Sequence, residues 1–285
     1  MRKQLNMLAA VLAVALITSL SVTGLLLSSN AQLNADNTAQ GTRLQMQNVL
    51  AKAQMAAQAE IKKVDALVVS TSLNLTAYGL NGTSARERLN VSLAANANLM
   101  SFITYDRNGV VQAAEPSSYY YMVGENLSWA DNVRRLLAGK IPIMSNVVTG
   151  GPNGAGAVLA APVFDADGLF LGGVSGMFNV STMLGAALPK LLNGTTFTFW
   201  SIQLDGLEIY DTDAAQIGMN LLGPAYADFP QAQAMGWRMV NESSGYVTYS
   251  FYTALHSGVL VNKECYWTSI GAHNFLWRLS IAHRL

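Results

Sequence analysis

The sequence predicts an α+β fold: one long N-terminal helix, then two lobes, each an antiparallel sheet with flanking helices. Three observations lead there. Apolar residues recur at helical spacing over residues 42–78, with no proline or glycine in the stretch. Short apolar runs then alternate with Asn-Gly and Asp-Gly pairs, the turn chemistry of antiparallel hairpins. The strand, turn, strand, helix, strand order repeats after roughly 100 residues, which reads as an internal duplication.

The elements follow in order. Arg2 and Lys3 precede an apolar run from Leu5 to Leu27, about 23 residues and roughly 35 Å as a helix, long enough to cross a bilayer. The positive flank is expected to stay cytoplasmic, which puts the rest outside. Ser29-Asn30-Ala31 offers small residues for a signal-peptidase cut, so 1–31 reads as a signal peptide or a membrane anchor. Residues 32–42 read as a polar juncture. Met46, Leu50, Ala53, Ala57, Ile61, Val64, Val68, Leu75 and Tyr78 then form the stripe of the long helix. Gly79-Leu80-Asn81-Gly82 ends it, and Ser84-Ala85-Arg86-Glu87 reads as a capping box for a second helix to about Ala97. Together 32–97 form the stalk.

Residues 98–190 read as the first lobe. Met100–Asp106 and Val110–Ala114 pair across Arg107-Asn108-Gly109, Ser128–Gly139 is a short helix, and Ile141–Thr149, Ala157–Phe164 and Leu169–Val180 are strands. The second lobe, 191–285, repeats this plan. Phe197–Leu204 and Leu207–Asp211 flank Asp205-Gly206, residues 212–243 are helical or irregular, and Gly245–Tyr252, Lys263–Ala272 and Trp277–His283 are strands.

Composition narrows the function. Of 285 residues 51% are apolar and only 12% charged, against a usual figure near 25%. That excludes a disordered chain, a coiled coil and a nucleic-acid binder. Basic and acidic residues balance at 17 each, so no bulk field draws a polyanion. The single Cys265 excludes an intrachain disulfide framework and Cys-rich metal sites. His256, His273 and His283 are not at helical metal spacing, and no metal or cofactor is expected. Asn-x-Ser/Thr recurs at Asn74, Asn81, Asn90, Asn126, Asn179, Asn193 and Asn241, an excess that points to a glycosylated, exported surface.

The runs Tyr105-Asp-Arg-Asn-Gly-Val-Val, Val123-Gly-Glu-Asn-Leu-Ser128, Leu136-Leu-Ala-Gly-Lys140 and Ala160-Ala-Pro-Val-Phe-Asp-Ala-Asp-Gly-Leu-Phe-Leu-Gly-Gly-Val174 resemble the extracellular Cache (PAS-like) sensor domain. Ile209-Tyr-Asp-Thr-Asp213, Ile217-Gly-Met-Asn220, Gly245-Tyr-Val-Thr-Tyr249 and Trp277-Arg-Leu-Ser280 resemble the membrane-proximal lobe of double-Cache proteins. The resemblance implies two PAS-like lobes and a small-molecule ligand in the membrane-distal one, about residues 98–190. The amino-acid-binding subgroup carries an Arg, an aromatic residue and a carboxylate where this chain has Ala130, Asn132 and Phe178, so that specificity is not carried over. Relatives continue into an output module, whereas this sequence stops at Leu285, so a membrane receptor or transporter partner is expected to supply the output. The long helix in this family also supports homodimers.

Tyr119, Tyr120 and Tyr121 follow the first hairpin and precede the helix that carries Trp129. Tyr119 and Tyr121 would share one face of a strand, and aromatic residues with polar tips suit a small-molecule pocket. The expected ligand-binding set is Tyr105, Tyr119, Tyr121, Trp129, Met144, Met177 and Asn179. No catalytic set assembles: Gly173-Val-Ser-Gly-Met177 lacks the nucleophile-elbow spacing, and Gly150–Gly156 is not followed by Gly-Lys-Ser/Thr. Asp165 and Asp167 read as turn residues rather than calcium ligands. The expected function is an exported, non-enzymatic sensor for a small organic metabolite. The alternative is an envelope surface protein that reuses the fold without a ligand.

Overall fold

The computed structural model describes residues 2–152, 154–255 and 257–285, with side-chain surroundings for 27–29, 31–149, 152, 154–255 and 257–285. Apart from Leu27, the run Leu5–Leu27 on which the expected export role rests falls outside the residues whose surroundings are described, as does His256. Among the described residues no helix is long and apolar enough to cross a membrane.

The chain divides into two units, residues 1–48 and 49–285. The first consists of the N-terminal part of α1 (Arg2–Tyr78). The polar juncture expected at 32–42 is helical as well. Its polar side chains are satisfied on the helix itself: the Thr38 and Thr42 hydroxyls donate to the Asn34 and Thr38 carbonyls four residues back. A Cβ on Gly41 would meet nothing within 4 Å, so nothing forces a break there.

In the second unit α1 buries the stripe that the sequence predicts: Leu50, Ala53, Ala57, Ile61, Val64, Val68 and Leu75. Tyr78 departs from it. It is 48% exposed at the helix end, with the Arg88 guanidinium 4.9 Å from its ring centre. α2 (Gly82–Ala94) starts two residues ahead of Ser84, so the expected capping box lies inside the helix and makes no cap.

Each lobe is one antiparallel sheet. The first contains β1 (Leu99–Asp106), β2 (Val111–Glu115), β3 (Ile143–Met144), β4 (Val148–Gly151), β5 (Gly154–Phe164) and β6 (Phe170–Phe178), ordered β2-β1-β6-β5-β3 with β4 on β5. α3 (Asp131–Gly139) covers one face, and α4 (Val180–Ala187) leads to the second lobe. The second contains β7 (Thr198–Ile202), β8 (Glu208–Asp211), α5 (Pro230–Asn241), β9 (Gly245–Tyr252), β10 (Leu260–Ala272) and β11 (Phe275–Arg284), ordered β8-β7-β11-β10-β9. The two strand orders correspond one to one, which is the expected internal repeat. The hairpin turns are built by Asp side chains. Asp106 Oδ1 accepts from the Asn108 and Val110 amides, and Asp165 Oδ1 from those of Asp167 and Leu169.

α1 lies against both sheets and bonds to their backbones. β9 pairs with β10 only as far as Gly245 opposite Trp267, so Ser269 and Gly271 run on without a β9 partner. Gln54 Nε2 donates to Ser269 O at 2.9 Å, and Gln58 both donates to Gly271 O at 2.7 Å and accepts from its amide at 3.2 Å. Two glutamines thus replace the missing strand. On the other sheet the Ser72 hydroxyl donates to Pro162 O at 2.5 Å. Val68 packs where a Cβ on Gly176 would come within 2.9 Å of its Cγ2. Asp65 Oδ1 is 2.7 Å from His273 Nε2 in the β10–β11 turn.

Replacing Gln58 by Leu strands both polar groups of Gly271. The expected loss is about 1–3 kcal/mol in urea unfolding, whereas exposed Lys52→Ala changes stability by less than about 0.5 kcal/mol.

Candidate functional site

The seven residues singled out in the first lobe divide between core, cap and surface. Tyr105 and Met177 are brought together in one packed cluster with Val133 and Leu136 of α3. The Tyr105 ring lies across Gly173, where a Cβ would come within 2.7 Å of it, and its hydroxyl is 3.3 Å from Ser175 Oγ. Met144 on β3 is fully buried. Asn179 is the N-cap of α4, its Oδ1 accepting from the Thr182 amide at 2.9 Å. Ser117–Met122 forms a 3₁₀ helix rather than a strand, following Pro116. Tyr119 and Tyr121 therefore do not share a face: Tyr119 is buried, while Tyr121 is 62% exposed. Trp129, ahead of α3, is 77% exposed.

The second lobe contains a cavity of about 60 Å³. That exceeds the space of a single water but is well below a drug-sized pocket. Its floor follows from strand parity, since alternate residues face the same side. Trp200 on β7 and Tyr249 and Phe251 on β9 point to it, as does Lys263 two positions before buried Cys265 on β10. Glu208 and Asp211 enter from the two ends of β8. The roof comes from Tyr226, from Asp213 and Gln216 after β8, and from Ala232 and Met235 of α5.

α5 is held down at its C-terminal end, where helix carbonyls lack partners. Buried Arg278 of β11 donates to Met239 O at 2.7 Å and Glu242 O at 2.9 Å, and Trp267 Nε1 donates to Glu242 O at 3.1 Å. A guanidinium also suits the negative end of the helix dipole. This clamp fixes the roof over the sheet.

The electrostatics of the cavity follow from burial. Glu208 is 3% exposed, and the Tyr226 hydroxyl donates to its Oε2 at 3.2 Å. Burial raises the Glu208 pKa well above the usual carboxylate value, and the hydrogen bond and charge of Asp211 and the charge of Asp213 raise it further. Burial also raises Asp211, although its hydrogen bonds from Glu208 and the Asp213 amide oppose this. Glu208 and Asp211 thus form a carboxyl pair that shares a proton. Asp213 is committed to the backbone, accepting from the Leu255 amide at 2.8 Å and the Ala215 amide at 3.3 Å. Burial pulls the Lys263 pKa below the lysine norm, partly offset by Asp211 and Asp213. Its ammonium lies 5.5 Å from the Phe251 ring centre and makes no salt bridge with a described residue. Among the described residues no group of three or more His, Cys, Asp and Glu is placed to hold a metal ion.

Sequence reading passed over this cavity. One signal was present: Lys263 has the same strand parity as Cys265 and Trp267, so a cation stands on the buried face of a strand. The carboxyl pair had no such signal, because β8 shifts register against β7 and brings residues three apart into one cavity.

Residues 59–179 match the family model of the HK/GC/chemotaxis protein-like sensor domain. Three solved structures are similar. One is an extracellular ligand binding receptor from Desulfohalobium retbaense (27% identity, TM-score 0.69), and the match covers 84% of this chain and 40% of the receptor. The second is the periplasmic sensory domain of the Campylobacter jejuni chemoreceptor Tlp1 (12% identity, TM-score 0.59), matched over 83% of this chain and 93% of that domain. The third is the ligand-binding domain of the Pseudomonas fluorescens chemoreceptor CtaA with L-serine (12% identity, TM-score 0.58), matched over 88% and 98%. This chain spans less than half the length of the Desulfohalobium receptor. No curated protein matches. The resemblance to double-Cache sensor domains and the expected fold are both borne out.

Glu208 and Asp211 hold their protons more tightly folded than unfolded. Their contribution to stability is complete below the unfolded carboxylate values, 4.5 for Glu208, and is lost as pH rises through the raised folded values. Thermal midpoints of Glu208→Gln should therefore fall less steeply than those of the natural protein as pH rises above 4.5.

Proposed function

We propose that this double-Cache chain is an extracytoplasmic sensor module that binds a small organic metabolite in the cavity of its second lobe. It passes the binding event to a membrane receptor or transporter partner. The observation that carries the reading is that cavity, whose wall includes a buried carboxyl pair and an ammonium with no salt-bridge partner. Charged groups on a cavity wall are costly to bury, and a ligand that adds partners to the carboxyl pair recovers part of that cost. The similarity to sensor domains of chemoreceptors supports the reading. The reading takes the second-lobe cavity rather than the first-lobe set as the site, because Tyr105 and Met177 of that set pack with α3 in an apolar cluster.

Binding here reaches α1 through one strand. Lys263 in the cavity wall and Ser269 and Gly271, which bond to Gln54 and Gln58, all lie on β10. A ligand that draws β9 and β10 toward the roof biases how α1 sits on the sheet, which is the output.

The closely packed first lobe favours a second reading, an envelope surface protein that keeps the fold without a ligand. Thermal unfolding against carboxylates, amines, amino acids, purines and sugars separates the two. A ligand at 100 times its dissociation constant stabilises by about 2.7 kcal/mol, a shift of several degrees. The sensor reading expects at least one such hit, abolished by Ala232→Trp, which fills the cavity. A flat screen on folded protein selects the surface-protein reading.

A further inference from the structure

The charge pattern of the cavity restricts what can enter it. Four charged side chains line it: Glu208, Asp211, Asp213 and Lys263. Asp213 is held by two backbone amides, which leaves Glu208 and Asp211 to meet a ligand. Four aromatic residues also line it: Trp200, Tyr226, Tyr249 and Phe251. Tyr249 is 6% exposed, and its hydroxyl makes no hydrogen bond to a described residue. A hydroxyl on the cavity wall that has no protein partner is open to a group that arrives with the ligand.

We propose that this cavity takes a small organic ammonium ion, with its charge on the Glu208–Asp211 pair and its carbon skeleton against the aromatic wall. The inference rests on the reading of the cavity as a ligand site. Three arguments select this class. Carboxyl groups outnumber the single lysine, so the cavity favours a cation. Ring quadrupoles attract ammonium ions, by about 0.5–2 kcal/mol per contact. The described residues offer no metal-binding group, and a volume of about 60 Å³ limits the ligand to a few heavy atoms.

Binding is linked to a proton. An ammonium ion favours the ionised form of the pair, so the shared proton leaves to solvent and affinity rises with pH until the pair is fully ionised. The groups facing Glu208 are Asp211 of β8, Asp213 beyond it, Tyr226 of the roof, Tyr249 of β9 and Lys263 of β10. α5 contributes only Ala232 and Met235.

Three isosteric probes test the class on the full chain: propylammonium, propionamide and propionate. Calorimetry is run at several pH values and in two buffers of different ionisation enthalpy. Propylammonium is expected to bind and the other two are not. Its affinity should rise with pH by up to about tenfold per unit, with proton release. Asp211→Asn should weaken it about tenfold or more, while Lys263→Met should leave it equal or tighter. Preference for propionate or propionamide, amine binding that is flat with pH, or an Asp211→Asn variant that binds the amine normally would each overturn the ammonium assignment. A hit of another class that is lost in Ala232→Trp overturns this inference alone. No binding by any compound overturns the ligand-site reading with it.

Discussion

The second unit depends on how one helix is seated across two sheets. α1 does more than bury an apolar stripe. It supplies hydrogen-bonding side chains to strand backbones that have run past their neighbours. Gln54 and Gln58 complete β10 where β9 ends, and Ser72 donates to β5. An unpaired backbone group buried under a helix costs about as much as a lost hydrogen bond. The polar positions of α1 therefore set its register as firmly as the apolar ones. Slipping the helix by one turn would keep hydrophobic contact but leave one of the two strand positions without its glutamine.

The same repeat gives two different interiors. In the first lobe glycine meets an aromatic ring: Gly173 leaves room for Tyr105, and α3 brings Val133 and Leu136 into the same apolar cluster. In the second lobe polar side chains enter the equivalent sheet from both ends of β8 and from β10. Charged groups cannot pack as tightly as a Leu–Met core without losing solvation. The residual volume sits among them, between Glu208, Asp211, Tyr249 and Lys263. The two sheets share one strand order, and the choice of inward residues places charged groups around an opening in the second.

Much of this architecture was legible in the sequence, for identifiable reasons. The stripe from Leu50 to Leu75, the Asp-built hairpins and the paired sheets are local or periodic features, and periodicity survives tertiary context. Errors came where tertiary structure overrode local pattern. The three tyrosines at 119–121 alternate like a strand, but the chain past Pro116 coils into a 3₁₀ turn, so Tyr121 faces out. The helix expected from Ser128 begins at Asp131, which leaves Trp129 exposed ahead of it. The cavity in the second lobe depends on a register shift in β8 and on a helix roof, and neither leaves a mark at fixed spacing.

The cavity wall and the helix seat lie on a common strand, which would tie a ligand bound in the second lobe to α1. β10 carries Lys263 near one end and Ser269 and Gly271 near the other, and β11 pairs with it along that whole length. A rigid two-stranded ladder transmits a shift at one end to the other, because its register cannot slip without turning every side chain over. The Arg278 clamp fastens α5 to the same ladder, so the roof and the helix seat share one support. If a ligand draws the roof toward the sheet, the surface on which Gln54 and Gln58 rest lies on the ladder that is pulled. A second lobe holding only apolar side chains would have no ligand-dependent change to pass along that strand.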